Sequence, residues 1–167
     1  MSQPKPRYAF EIPGRFARGW HIVCFSQELA RGDIKALDYF NREMVLFRGE
    51  DGNAVILDAY CPHLGAHLAG VGSRIEGNSI RCPFHGWEFN GKGACTRIPY
   101  AKKIPERALS ALKSWPVCEK NGFIALWYDE EEGQPNWELP DIPEWGPNGW
   151  GDWHFNRKRI RAHGREV

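Results

Sequence analysis

Apolar residues in this chain recur in short runs, not at helical intervals. "WHIVCF" (20–25), "IKALDYF" (34–40), "EMVLFRG" (43–49) and "AVILDAY" (54–60) are rich in β-branched and aromatic residues, and turn clusters such as "RGD" and "EDGN" part them. Asp51-Gly52, between two such runs, predicts a hairpin with a type I′ turn, which needs positive φ at both central positions. Asn121-Gly122 predicts another between "SWPVCEK" and "FIALWYD", and "WEFNGKGACTRI" a third with glycines at its tip. No long 3.6-residue periodicity is present, although "KIPERALSAL" has room for a helical turn or two. The pattern predicts a small all-β, antiparallel domain.

The pattern changes after Asp129. "EEEGQPNWELPDIPEWGPNGWGDW" is rich in proline, glycine and acid, and cannot be continuous strand or helix. Its interleaved tryptophans argue against a free linker and predict an extended segment that docks its rings on a surface. The final "HFNRKRIRAHGREV" places Arg157, Arg159 and Arg161 at strand spacing, read as a strand with a solvated or domain-facing side. The expected division is residues 1–130 as the β-domain and 131–167 as an extended connector leading into a first strand.

Composition narrows the classes. The 167 residues are enough for one domain with its own core. A formal net charge of +1 offers nothing for nucleic acid or an anionic membrane. Cys24, Cys61, Cys82, Cys95 and Cys118 are odd in number and widely spaced, unlike a secreted disulfide framework. No stretch approaches the length of a membrane span and the N-terminus has no signal-type apolar core, so the expectation is a cytoplasmic protein with neither membrane nor nucleic-acid partner.

Two loops carry the chemistry. "AYCPHLGAHLAG" (59–70) and "IRCPFHGWEFNG" (80–91) each offer a cysteine, a proline behind it, a histidine and a glycine behind that. The candidate ligands are Cys61 and His63 on the first loop, Cys82 and His85 on the second. Zinc accepts a Cys2His2 set, but usually from cysteine pairs and histidine pairs at their own spacings. A mixed pair on each arm fits a two-metal object better, one iron taking both thiolates and the other both imidazoles, bridged by sulfide. Pro62 and Pro83 stiffen the apexes, and Gly65 and Gly86 let backbone N–H groups approach the sulfurs.

"CPHLGAHL" with "CPFHGWEF" resembles the Rieske domain of non-haem iron oxygenases. The resemblance implies a [2Fe–2S] cluster with Cys61 and Cys82 on the buried iron and His63 and His85 on the iron nearer solvent. It also implies electrons arriving from a flavin/ferredoxin-type reductase and leaving for a mononuclear Fe(II) in a separate catalytic domain, in a homotrimer. Rieske proteins of cytochrome bc complexes carry a further cysteine per loop and a serine and tyrosine near the cluster. This chain has Ala66, Phe84, Trp87 and Phe89 there. Fewer donors imply a potential near the low end of the Rieske range, roughly −150 mV. "CTRIPYAKKIPERA" and "IPEWGPNGWGDWHFNRKRIRAHGREV" are similar to oxygenase components that act on steroid rings, the 3-ketosteroid 9α-hydroxylase type above all.

A facial triad for the mononuclear iron needs two histidines and a carboxylate. His21, His67, His154 and His163 form no plausible pair, so the catalytic iron is expected in a domain beyond Val167, and these residues to transfer electrons only. Cys24, Cys95 and Cys118 read as small buried hydrophobes, and His67 as a surface-loop histidine. "GVGSRIEG" opens no helix and is discounted as a phosphate loop. Trp87 is expected to pack and shield the cluster; Lys92, Arg97, Lys102 and Lys103 are candidates for a basic rim steering an acidic ferredoxin. Three functions follow: the Rieske part of a terminal oxygenase, a free-standing Rieske ferredoxin, and a zinc-stabilised binding module.

Overall fold

A computed structural model describes residues 16–109, 111–146, 149–151, 153–154 and 158. Among the described residues, eleven strands form three antiparallel sheets. The first has the order β1 (Gly19–Phe25), β11 (Phe123–Tyr128), β10 (Val117–Lys120). The second runs β2 (Ile34–Tyr39), β3 (Arg42–Arg48), β4 (Ala54–Asp58), β9 (Ser114–Trp115). The third runs β5 (Arg74–Glu76), β6 (Ser79–Arg81), β7 (Glu88–Asn90), β8 (Cys95–Arg97). "KIPERALSAL" supplies a single 3-10 turn, Glu106–Ala108.

The second sheet is the middle layer, and β3 shows why. Met44, Val45, Leu46 and Phe47 are all fully buried, so this strand is apolar on both faces. Met44 and Leu46 pack with Cys24, Ile56, Ile124 and Leu126 towards the first sheet. Val45 and Phe47 face the other way, joining Leu57, Ile80, Phe89 and both loop cysteines. Burying side chains of this size contributes about 1.5–3 kcal/mol each. Arg48 ends β3 and ties the layers: its guanidinium meets the Glu119 carboxylate through two bonds of 2.8 Å and donates to the carbonyls of Leu29 and Gly52.

All three expected hairpins form, with one correction. Asn121 and Gly122 take φ 52° and 77°, as a type I′ turn requires. Asp51-Gly52 does not: only Gly52 is at positive φ, 89°. Gly52 N–H donates to Gly49 O and Gly49 N–H to Asn53 O, a type I turn closed by a left-handed glycine in a three-residue loop. Asp51 stabilises that form by accepting the Asn53 N–H at 2.9 Å. The β2–β3 connection is an I′ turn that composition conceals, for Phe40 and Asn41 have φ 57° and 56°. Phe40 stacks on Tyr128, centroids 4.1 Å apart, and packing holds an aromatic where glycine is usual.

The Trp/Pro-rich segment is strapped across the first sheet. Trp127 donates its indole N–H to Gly133 O, Trp20 to Trp137 O and Trp153 to Asn121 O. Asn121 binds the strap twice, giving its amide to Pro140 O and accepting from Ile142 N–H. Trp137 docks on the edge of Trp127, Trp153 against Phe123 and Trp145 over Gly122, whereas Trp150 stays exposed. The arginine-bearing strand expected near the C-terminus falls on residues that lie, Lys158 apart, outside those described.

Candidate metal centre

Both cysteine–histidine loops project from the third sheet and its junction with β4, and their backbones follow one plan. Cys61 N–H donates to Ala66 O and Gly65 N–H to Cys61 O, each at 2.8 Å. Cys82 N–H donates to Trp87 O at 2.8 Å and Gly86 N–H to Cys82 O at 3.1 Å, the same offsets in chain position. Gly65 and Gly86 supply the left-handed residue each turn needs, at φ 73° and 71°. The histidine alone shifts place, two residues after the first cysteine and three after the second.

The loops bring like with like. Cys61 and Cys82 are 2 % and 3 % exposed and lie side by side in the core. Burial pushes the Cys61 thiol up to about 12; backbone N–H groups of His63 and Leu64 pull the other way, and the adjacent Cys82 sulfur raises it again. A thiol so placed keeps its proton at neutral pH unless a metal replaces it, when the same N–H groups would stabilise bound thiolate. The imidazoles of His63 and His85 stand edge to face, centroids 4.8 Å apart, and both are half-buried. Nδ1 of His85 is buried without a hydrogen-bond partner, an unpaired ring nitrogen that suits a ligating role.

The sulfurs are thus more deeply buried than the imidazoles. Among the described residues no three His, Cys, Asp or Glu side chains gather as a cage for a single ion. A thiol pair beside an imidazole pair fits a two-iron sulfide cluster, and Cys61, Cys82, His63 and His85 are the residues that could hold it.

Neighbouring side chains set the frame. Trp87 stacks on His63, centroids 4.6 Å apart and planes at 10°, and donates its N–H to the Tyr100 hydroxyl at 2.6 Å. Phe84 leans on His85, centroids 4.0 Å apart, and remains exposed like Leu64 on the other loop. His67 is half-buried on the stem of the first loop: its Nδ1 accepts the Ala69 N–H, and Nε2 faces Glu43 at 3.5 Å. Glu43 also accepts the Tyr60 hydroxyl at 2.6 Å, bracing the residue before Cys61. His67 therefore belongs to a brace, not to the ligand set.

Other candidates separate. Cys24 and Cys95 are buried in strands and Cys118 is half-buried in β10, in line with a packing role. His21 bonds Ala17 O, His154 is exposed, and His163 lies outside the described residues. The basic rim breaks up: Lys92 occupies the tip of the β7–β8 hairpin, at the far end from the loops, and Arg97 pairs with Glu88 at 2.8 Å. Lys102 and Lys103 stay exposed beyond β8. Tyr100, Tyr60 and Glu43 escaped the sequence reading because no spacing rule joins residues so far apart in the chain. No helix among the described residues is long and apolar enough to cross a membrane.

Comparison with known proteins agrees with this geometry. The family model of the Rieske [2Fe-2S] domain matches residues 19–116, and that of the 3-ketosteroid 9alpha-hydroxylase C-terminal domain matches residues 126–167. A probable 3-ketosteroid-9-alpha-monooxygenase, oxygenase component, of Rhodococcus rhodochrous is 42% identical over 93% of this chain and 39% of its own length. Cholesterol 7-desaturase of Hemicentrotus pulcherrimus is 40% identical over 96% of this chain and 34% of its own. Among solved structures, dicamba monooxygenase with non-heme iron and dicamba superposes with TM-score 0.61 at 27% identity, over 75% of this chain and 37% of that one. The reduced oxygenase–ferredoxin complex of carbazole 1,9a-dioxygenase gives TM-score 0.60 at 26% identity, over 80% and 33%. The chain spans less than half the length of these relatives, between 33% and 39% of the four named.

Proposed function

Because this chain belongs to the Rieske [2Fe-2S] domain family, we propose that it is the electron-accepting head of a terminal oxygenase component. In this reading Cys61 and Cys82 hold the inner iron, and His63 and His85 the outer. The observation that carries it is the pairing itself: two loops of one backbone plan set buried thiols together and half-buried imidazoles together, with His85 Nδ1 unpartnered. When bound, the cluster supplies reversible one-electron storage.

The chain's own residues set access to that electron. The cores on either side of β3 close off the sulfur side, and Trp87 walls His63 from the interior. The imidazole side faces outward between exposed Leu64 and Phe84, so electrons enter and leave by the histidines. Residues 1–130 are the head and 131–167 the extended connector and first strand of the catalytic domain, with the strap fixing that connector to the first sheet. The donor is a ferredoxin-type or flavin reductase, docked over the apolar loop tips with exposed Lys102 and Lys103 nearby. The acceptor is a mononuclear non-haem iron outside the described residues, supplied by a neighbouring subunit of a homotrimer. The similarity to steroid-acting oxygenases makes a steroid ring the proposed substrate class, for hydroxylation or desaturation.

Reconstitution with ferrous iron and sulfide tests the ligand assignment. The expected product is coloured, carries equal iron and acid-labile sulfide, and on reduction gives the paramagnetic signal of a mixed nitrogen–sulfur cluster. A colourless protein that takes up zinc in preference to iron and sulfide would overturn it.

A further inference from the structure

The second ligand loop lies against a fixed positive charge. Across β5 to β8 the register pairs Arg74 with Arg81, Arg81 with Glu88 and Glu88 with Arg97. Residues paired across a ladder share a face, so these four form a charged row where the loop leaves the sheet at Arg81 and rejoins it at Glu88. Glu76, two residues along β5 from Arg74, joins the row and is shared: its carboxylate accepts from Arg74 Nε and, at 3.4 Å, from Arg81 Nη1. Glu88 is occupied by Arg97. Three guanidinium groups against two carboxylates leave one net positive charge.

Arg81 is the member that reaches the loop. A Cβ built on Gly86 would lie 2.9 Å from Arg81 Nη2 and 3.0 Å from its Nε, so the guanidinium covers the left-handed turn itself. The matching glycine of the first loop, Gly65, has nothing within 4 Å. The residue before Cys61 is the neutral Tyr60, hydrogen-bonded to Glu43. The two loops therefore share a backbone plan but differ in what covers the glycine turn, and the Arg81 guanidinium lies against the second.

We propose that Arg81 is a positioning residue for the electron-accepting centre, holding the Gly86 turn and favouring the centre's reduced state by its charge. The proposal rests on the ligand assignment above. An arriving electron adds one negative charge beside a half-buried loop, where a fixed cation attracts it more strongly than the same pair would interact across bulk water. The row thus raises the potential above what the loop's hydrogen bonds alone would set.

The test is the midpoint potential of the reconstituted 167-residue chain, followed by visible absorption during redox titration. Arg81→Gln is expected to lower the potential, Glu76→Gln to raise it, and Arg81→Lys to stay near wild type, each with an unaltered oxidised spectrum. Glu76→Gln leaves the guanidinium in place and decides the matter if Arg81→Gln loads poorly. An unchanged potential in both glutamine variants, or shifts of one sign in both, overturns the electrostatic role. Failure of the wild-type chain to assemble a cluster overturns the ligand assignment, and this inference with it.

Discussion

The imidazole of His63 lies flat on the indole of Trp87, 4.6 Å between centroids, while the N–H of that indole is committed to Tyr100. One side chain thus serves as wall to a candidate ligand and as anchor to the segment after β8. Trp87→Phe keeps a ring beneath His63 and drops the N–H; a loss of about 1 kcal/mol is expected in urea unfolding. Trp87→Ala empties a buried site and is expected to cost about 3–5 kcal/mol. It should also speed bleaching of the reconstituted colour, because water gains access behind His63.

The ligand pairs predict different failures from neighbouring histidines. Cys82→Ser and His85→Ala are expected to leave the far-ultraviolet dichroism of a β-protein and to abolish iron and sulfide uptake. His67→Ala, which breaks only the brace to Glu43, is expected to load normally. Iron and sulfide analysis of the three variants checks this, and an unloaded His67→Ala protein would contradict the division into ligands and brace.

Glu119 predicts an acid limit to stability. Hydrogen bonding to Arg48 holds its carboxyl below the ordinary value, against the cost of burial. A depressed carboxyl stabilises the fold above its unfolded pKa, about 4.3, and that contribution disappears as pH falls through the lower folded value. Arg48 is raised from an already high value, so its titration lies outside any useful range. Glu119→Ala leaves a buried guanidinium uncompensated and is expected to cost about 3 kcal/mol at neutral pH. The deficit relative to wild type should shrink as pH is lowered below 4 in denaturant titrations.

Asn121 predicts that strap and head can be uncoupled. Asn121→Gly keeps the positive-φ turn but removes both side-chain bonds to the strap. Thermal unfolding is expected to change little, while limited proteolysis between residues 133 and 144 quickens. Asn121→Ala strains the turn as well and should lower the melting temperature.

Much of this could be read from the chain because its signals are local. A cysteine, proline, histidine and glycine within a few residues define a loop chemically, and the repeat of that set twenty-one residues on, from Cys61 to Cys82, defines a pair of loops. Short apolar runs marked the strands for the same reason. What stayed hidden depends on residues distant in sequence. The Phe40-Asn41 turn is held by Tyr128 from β11, and Trp87 meets Tyr100 across a hairpin. The Asp51-Gly52 turn differs in type from the one its dipeptide predicts because Asp-Gly also suits a three-residue loop, and an Asp carboxylate that captures Asn53 tips the choice. Lys92 looked close to the second loop in sequence, yet a three-residue strand carries it to the other end of the hairpin.

The excursion that bears both loops leaves the middle sheet after Asp58 and comes back at Ser114, where Leu57 and Ser114 are already paired. Departure and return share a doorstep, so everything from residue 59 to 113 is hung on a frame whose own strands meet without it. The host strands thus keep their register through pairings that lie outside the detour. A laboratory graft of a relative's detour would need two neighbouring splice points and an apolar face that fits Val45, Phe47 and Leu57.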